Sequence, residues 1–259
     1  MSTDKQTSLK KTALVTGAAK RIGRTIALAL AQRGWDVVVH YARSEAEAQA
    51  TVAEIEAIGR RAITLHCDLN DEATVKTLVR RASAVLGPIS CVVNNASLFD
   101  YDSAADFSGA TLDAHMHTNL VAPVLLAQAL YEATPDGAQA VIVNLLDQKL
   151  FNLNPDFLSY TLSKAALQSA TTMLAQALAP KVRVVGVAPG ITLVSGDQSE
   201  AGFTSAHKVT PLGRSSTPDD IAHAVCFVAE AQAMTGTTLV VDGGQHLIPL
   251  QRDVMFVAS

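Results

Sequence analysis

The sequence predicts one doubly wound α/β domain built on a seven-stranded parallel sheet. Three observations predict it. Short apolar, β-branched runs alternate with longer helical runs through the chain. The first apolar run passes directly into a glycine-bearing turn and then a helical run. No Gly/Ser linker and no internal repeat divides the 259 residues, a length that suits a single large α/β domain spanning 1–259.

The elements follow in order. Thr12–Val15 is the first strand, Thr16–Gly23 the turn, and Arg24–Arg33 a helix ended by Gly34. Trp35–Tyr41 is the second strand and Glu45–Ile58 an amphipathic helix. Arg61–His66 is the third strand, followed by a helix from Glu72 to Leu86. Ile89–Val93 is the fourth strand, and Leu112–Glu132 reads as one long helix carrying Asn119. A buried asparagine in a helix bends it or holds water. Ala140–Leu146 is the fifth strand, Lys164–Ala179 an Ala/Leu-rich helix opened by Tyr160, and Val182–Val187 the sixth strand. Leu193–Thr217 is polar and weakly periodic, which suits a lid loop. Pro218–Ala231 is a helix and Thr237–Val241 the seventh strand. Residues 1–10 are expected to be flexible and 247–259 to form a tail.

Composition excludes several classes. Hydrophobic residues make up 49% and charged residues 17%, so the chain folds. The net charge is −4 with no basic block, which argues against nucleic acid. No apolar run reaches the roughly 18 residues of a membrane span. The polar, lysine-bearing start does not read as a secretory signal. Cys67, Cys91 and Cys226 are far apart and match no metal spacing, and Cys91 and Cys226 lie in apolar runs. A reducing cytoplasm is the expected location. His115 and His117 lack a third ligand nearby, so no metal is expected.

The chemistry gathers at three strand ends. The turn with Gly17 and Gly23 lets a dinucleotide pyrophosphate approach backbone and a helix N-terminus, although the G-x-G-x-x-G spacing is absent. The second strand ends in His40-Tyr41-Ala42-Arg43-Ser44, with no carboxylate to hold a ribose 2′-hydroxyl. Arg43, Ser44 and His40 suit a 2′-phosphate instead, which favours NADP(H). Asp68 could bond an adenine amine or cap the next helix. Asn94-Asn95-Ala96-Ser97 lets a cofactor lie close to backbone, and Phe99 could be a stacking plate or a core anchor. Asp147 closes the fifth strand, where ligands of parallel sheets bind. Tyr160 and Lys164 lie one helical turn apart. A nearby ammonium lowers a phenol's pKa and fits it for proton transfer.

Thr16-Gly17 with Gly23, Asn94-Asn95-Ala96, Asn119, Tyr160 with Lys164, Pro189-Gly190 and Asp242-Gly243-Gly244, in this order, resemble the short-chain dehydrogenase/reductase family over about Lys11 to Leu247. The resemblance implies a Rossmann-type oxidoreductase with a catalytic Tyr160. It implies a Lys164 that binds the nicotinamide ribose and lowers the tyrosine pKa, and an Asn119 that holds a relay water. Two departures stand out: Asp147 replaces the usual serine thirteen residues before the tyrosine, and Arg21 replaces the middle glycine of the loop. Both resemble the pteridine reductase branch. That likeness implies a substrate site of Arg21, Ser97, Phe99, Asp147 and Tyr160, with Arg21 facing the pterin oxygen or the pyrophosphate. It implies NADPH contacts from Gly17, Arg21, Ile22, Gly23, His40, Tyr41, Arg43 and Ser44. Asp68, Leu69, Asn95, Ala96, Ser97, Tyr160, Lys164, Pro189 and Gly190 complete that set.

The expectation is therefore NADPH-dependent reduction of a pteridine C=N bond by Tyr160, assisted by Lys164 and Asp147. The alternatives are a carbonyl reductase acting on a ketone or 3-oxoacyl thioester, and an NADPH sensor without turnover. The family resemblance implies a homotetramer. The apolar group Val254–Val257 is expected to pack across a subunit interface, with Arg252 near a neighbour's site.

Overall fold

The computed structural model describes residues 9–194, 200–208 and 210–257. The described strands are β1 (Thr12–Val15), β2 (Asp36–Tyr41), β3 (Ala62–His66), β4 (Cys91–Asn94), β5 (Ala140–Leu145), β6 (Val182–Pro189) and β7 (Thr238–Val241). They form one sheet in the order β3-β2-β1-β4-β5-β6-β7, and every pairing is parallel. The order reverses between β1 and β4, so the crevice for a ligand opens there, beyond the strands' C-terminal ends.

Side chains alternate across the strands and fill two layers. Ala13 and Val15 face α1 (Arg21–Gln32) and α8 (Pro218–Glu230), where Ile26, Leu30, Ile221 and Val225 are buried. Leu14 and Val92 face the opposite way, towards α3 (Glu72–Leu86) and α5 (Ala122–Ala133), with Leu78, Leu126 and Leu130. Each such burial contributes about 1.5–3 kcal/mol. Helix α2 (Glu45–Ala57) packs beside β2 and β3. Two asparagines inside the sheet form a ladder: Asn94 donates to Asn144 at 2.8 Å, and Asn144 to Thr171 of α6 (Leu158–Leu178) at 2.9 Å. This ladder ties the helix that carries Tyr160 to β4 and β5.

Several expectations change. The long helix over 112–132 is three pieces: α4 (Gly109–Met116), a π-helical segment His117–Val121, and α5. The π segment holds Asn119 inward, which is the bend its burial predicted. The stretch 193–217 is not all loop, because it contains α7 (Glu200–Lys208); its residues 195–199 and 209 lie outside the described residues. So do residues 1–8 of the expected flexible start, but Leu9 packs on the core and Lys10 pairs with Asp36 at 2.8 Å. Asp36 also takes Arg60 and Arg61, at 2.6 and 2.9 Å, and clamps the sheet edge opposite the crevice. The cap of α3 is Asp71, not Asp68. His115 is fully buried and accepts the Asp100 N–H at 3.2 Å. All three cysteines are buried and free. Among the described residues no helix is long and apolar enough to cross a membrane.

Candidate active site

The turn after β1 is shaped by close backbone approach. Gly17 has φ +63°, in the left-handed region that favours glycine. A Cβ on Gly23 would lie 2.3 Å from the Gly17 carbonyl oxygen, so only glycine fits at the start of α1. Thr16 Oγ1 accepts the N–H groups of Asn95 and Ala96 at 3.0 Å each, while Asn95 Nδ2 donates to the Thr16 carbonyl at 2.8 Å. The turn and the end of β4 are thus one rigid unit beneath the crevice. Its glycine cradle and helix N-terminus fit a dinucleotide pyrophosphate.

His40 plays a different part from the one its sequence position implied. It is buried, accepts the Gly17 N–H at Nδ1 (3.1 Å), and its Nε2 meets the Cys67 carbonyl at 3.0 Å. Burial pushes its pKa down to about 4, so it is a neutral brace and not a cation for a 2′-phosphate. Arg43 remains exposed at the end of β2, beside Ser44 and half-buried Tyr41. Asp68 is exposed and accepts the Asn70 N–H at 3.0 Å; Leu69 is buried next to it.

Beyond β4, β5 and β6 lies a cleft of about 280 Å³. Arg21, Ile22, Asn95 and Ser97 line one end, Pro189 and Gly190 another, and Phe99, Asp147, Tyr160 and Lys164 the rest. Helix α6 aims Tyr160 because its start is fixed twice. Phe157 turns the chain at φ +54°, and Asp102 accepts the Ser159 N–H at 2.9 Å. Asp147 caps the short 3₁₀ turn Gln148–Phe151 through the Lys149 N–H at 2.8 Å. Its other oxygen accepts the Tyr160 hydroxyl at 2.7 Å. Lys164 reaches under the tyrosine to the Leu145 carbonyl at 2.7 Å, with its Nζ 5.8 Å from the Tyr160 ring centre.

The electrostatics reverse one expectation. Tyr160 is not lowered towards neutrality; burial first, and then the Asp147 carboxylate, push its pKa well above the usual range. The hydrogen bond to Asp147 adds to the effect of burial, because a phenolate beside a carboxylate would be two like charges in contact. Burial also raises Asp147, partly offset by hydrogen bonds from Lys149 N–H and Tyr160. Burial lowers Lys164 to about 8, and Asp147 offsets part of that. Tyr160 and Asp147 are therefore joined by a short hydrogen bond in a poorly solvated place.

Phe99 packs into an aromatic group and also borders the cleft. It stacks on Phe157 (centroids 4.4 Å apart, 15° between planes), meets Tyr160 edge-on at 4.6 Å, and still lines the cleft. The Asn119 side chain is fully used: Oδ1 accepts the Leu98 N–H at 2.8 Å, and Nδ2 donates to the Leu98 carbonyl and Ser163 Oγ at 3.0 and 2.9 Å. With Ser97 Oγ also donating to Oδ1 at 3.2 Å, it clamps the loop after β4 to α6. Arg21 donates to the Val194 carbonyl at 3.0 Å, across the mouth.

Sequence reasoning missed Asp102, Gln148, Lys149 and Asp253. The last three line the cleft. Asp102 stands in an aspartate-bearing loop that carried no assignment, and a lysine two residues after Asp147 is an unremarkable spacing. The tail also makes contacts within its own chain. Short helix α9 (Val254–Val257) packs Phe256 on Tyr101 and Phe157 of the same chain, at 5.5 and 6.1 Å, and Arg252 pairs with the chain's own Asp156 at 2.8 Å.

A family profile described as enoyl-(acyl carrier protein) reductase matches residues 17–246. The chain belongs to the short-chain dehydrogenase/reductase family. This dehydrogenase/reductase is 35% identical over 245 residues to an uncharacterised oxidoreductase of Methylorubrum extorquens, covering 90% of this chain and 97% of that one. It is 31% identical to the 3-oxoacyl-[acyl-carrier-protein] reductase FabG of Staphylococcus aureus, over 92% of this chain and 99% of that one. Among solved structures it resembles FolM alternative dihydrofolate reductase 1 of Brucella canis, complexed with NADP. The TM-score is 0.89 and the identity 40%, over 93% of this chain and 96% of that one.

Proposed function

We propose that this short-chain dehydrogenase/reductase uses NADPH to reduce a C=N bond of a pteridine, of the dihydropterin or dihydrofolate kind. The observation that carries the reading is the 2.7 Å hydrogen bond from Tyr160 to Asp147, beside Phe99 on the cleft wall. Likeness to the Brucella dihydrofolate reductase supports it, as does the NADP in that complex. Arg43, exposed at the end of β2 where an NAD site carries a carboxylate, favours the phosphorylated cofactor.

NADPH supplies the hydride when bound. The rest of the step is this chain's work. A C=N reduction needs one hydride at carbon and one proton at nitrogen. The Tyr160 hydroxyl is the proton donor, and Asp147, which accepts its hydrogen bond, is the group through which a proton taken up from solvent returns to the phenolate afterwards. Lys164 places a cation beneath the phenol, which steadies the oxygen as its proton leaves. Phe99 gives a flat ring an aromatic face, and Asp147 can accept from an amino-pyrimidine edge. Exposed Tyr131, Leu162 and Met173 on α5 and α6 favour an interface there, and with it a homotetramer.

A carbonyl reductase is the second reading, favoured by the FabG relative. Polarising an aliphatic ketone needs a neutral hydroxyl where this chain has Asp147. Comparing wild type with Asp147→Ser on dihydrobiopterin, dihydrofolate and a simple ketone separates the two. Pterin turnover lost in the variant supports the proposal. Ketone turnover alone, kept or raised in the variant, overturns it.

A further inference from the structure

The same cleft has a wall made by the end of the chain. Asp253, Val254 and Met255 line it together with Asp147 and Tyr160. Two buried side chains from the segment between β5 and α6 hold that wall. Asp156 accepts Arg252 Nε on its two oxygens at 3.0 and 2.9 Å, and the Asp253 N–H at 2.7 Å. Lys149, 3% exposed, donates to Asp253 Oδ2 at 3.3 Å and to the Asp156 carbonyl. A buried ammonium needs such partners, and removing one of them strands the other. The aromatic contacts continue the connection: Phe256 lies on Phe157, which stacks on Phe99 at the pocket.

We propose that Arg252–Met255 is a specificity wall that this chain supplies to its own substrate pocket, with Lys149 and Asp156 as the positioning residues that hold it. The wall adds a carboxylate and two apolar side chains around Asp147 and Tyr160. A cleft of about 280 Å³ with the Asp147 and Asp253 carboxylates and the Phe99 and Tyr160 rings on its walls suits a compact, donor-bearing heterocycle better than a long acyl chain. That selection rests on the pteridine reading; the placement of the wall in its own chain does not.

Two experiments test it, on the full chain. The first replaces Tyr101 and Phe256, whose rings lie 5.5 Å apart, with cysteines and adds a short bifunctional thiol reagent. The native thiols compete poorly, since burial pushes Cys67 and Cys226 up to about 11 and Cys91 to about 12. The wall predicts a 101–256 cross-link within one chain, found by peptide mass at monomer size on a denaturing gel. A dimer-sized product, or no cross-link, overturns it.

The second measures kinetics of Lys149→Met and Asp156→Asn. The substrate KM should rise about 10-fold while the NADPH KM stays within about 2-fold. Exchanging the charges, Asp156→Arg with Arg252→Asp, should recover much of the substrate KM, which a general loss of stability would not. An unchanged substrate KM overturns the role given to Lys149 and Asp156. If wild type reduces no pterin, the pteridine reading fails; the cross-link, and the KM of whatever substrate is reduced, still decide the wall.

Discussion

Replacing Lys164 with methionine should change how stability depends on pH, by an amount the structure fixes. The Lys164 side chain is 3% exposed, and burial brings its pKa from 10.5 to about 8. Between those values the folded chain has shed this proton and the unfolded chain has kept it. The unfolded state then binds more protons, so this group's contribution to stability rises with pH through that window. Below about 8 the lysine is charged in both states, and the penalty of burying it is constant. At about 1.4 kcal/mol per pH unit the whole window amounts to about 3 kcal/mol. Methionine fills similar space without a charge. It also strands the Leu145 carbonyl that Lys164 meets at 2.7 Å, but that loss is the same at every pH and cancels. Equilibrium urea unfolding of wild type and Lys164→Met, from about pH 7 to about pH 10.5, reads the difference directly. Relative to wild type, the variant should lose about 3 kcal/mol across the window. A flat difference would refute the reasoning, because the ammonium would not then be charged and desolvated at neutral pH.

Other outcomes follow from the same geometry. Tyr160→Phe should lower kcat by about 10²–10⁴-fold while NADPH still binds in a fluorescence titration, because only the proton donor is lost. Gly23→Ala puts a Cβ 2.3 Å from the Gly17 carbonyl oxygen. The forced shift should weaken NADPH binding by about 10- to 100-fold, matching the 1–3 kcal/mol usual for overpacking, and calorimetric titration would measure it. Burial alone would raise the Asp36 carboxyl, but Lys10, Arg61 and Arg60 outweigh it and hold the pKa far below the ordinary value. Asp36→Ala should cost about 2–3 kcal/mol in unfolding experiments at neutral pH. That gap should shrink as pH falls below about 4 towards the folded pKa, where wild type loses the same contribution.

The sheet was legible because its central strands are buried on both faces and read as continuous β-branched runs, such as Val37-Val38-Val39 and Val141-Ile142-Val143. Helix α3 was legible to the residue, since an amphipathic run between Asp71 and Gly87 carries its own signals. The positions of Asp147, Tyr160 and Lys164 followed from their spacing, but the sign of the tyrosine's shift did not. That sign depends first on the burial of the phenol and then on its 2.7 Å contact with the Asp147 carboxyl, neither of which a Tyr-x-x-x-Lys spacing announces. His40 was assigned an outward role, yet its bonds run inward to Gly17 and Cys67, and no local pattern announces the bonds of Asn119 to Leu98 and Ser163, 21 and 44 positions away. The wall was hidden for a related reason, since Lys149 meets a residue 104 positions away and no local pattern announces such a pair.

The central claim is that a carboxylate hydrogen-bonded to the Tyr160 hydroxyl marks a pteridine site. The most direct measurement is the rate of NADPH oxidation by the wild-type protein with dihydrobiopterin, against the rate with a 3-oxoacyl thioester. The account predicts a kcat/KM for the pterin at least about 100-fold higher, the margin expected when one substrate pairs with buried polar groups and the other leaves them unpaired. A thioester preferred by a similar margin would contradict it and leave Asp147 with another task.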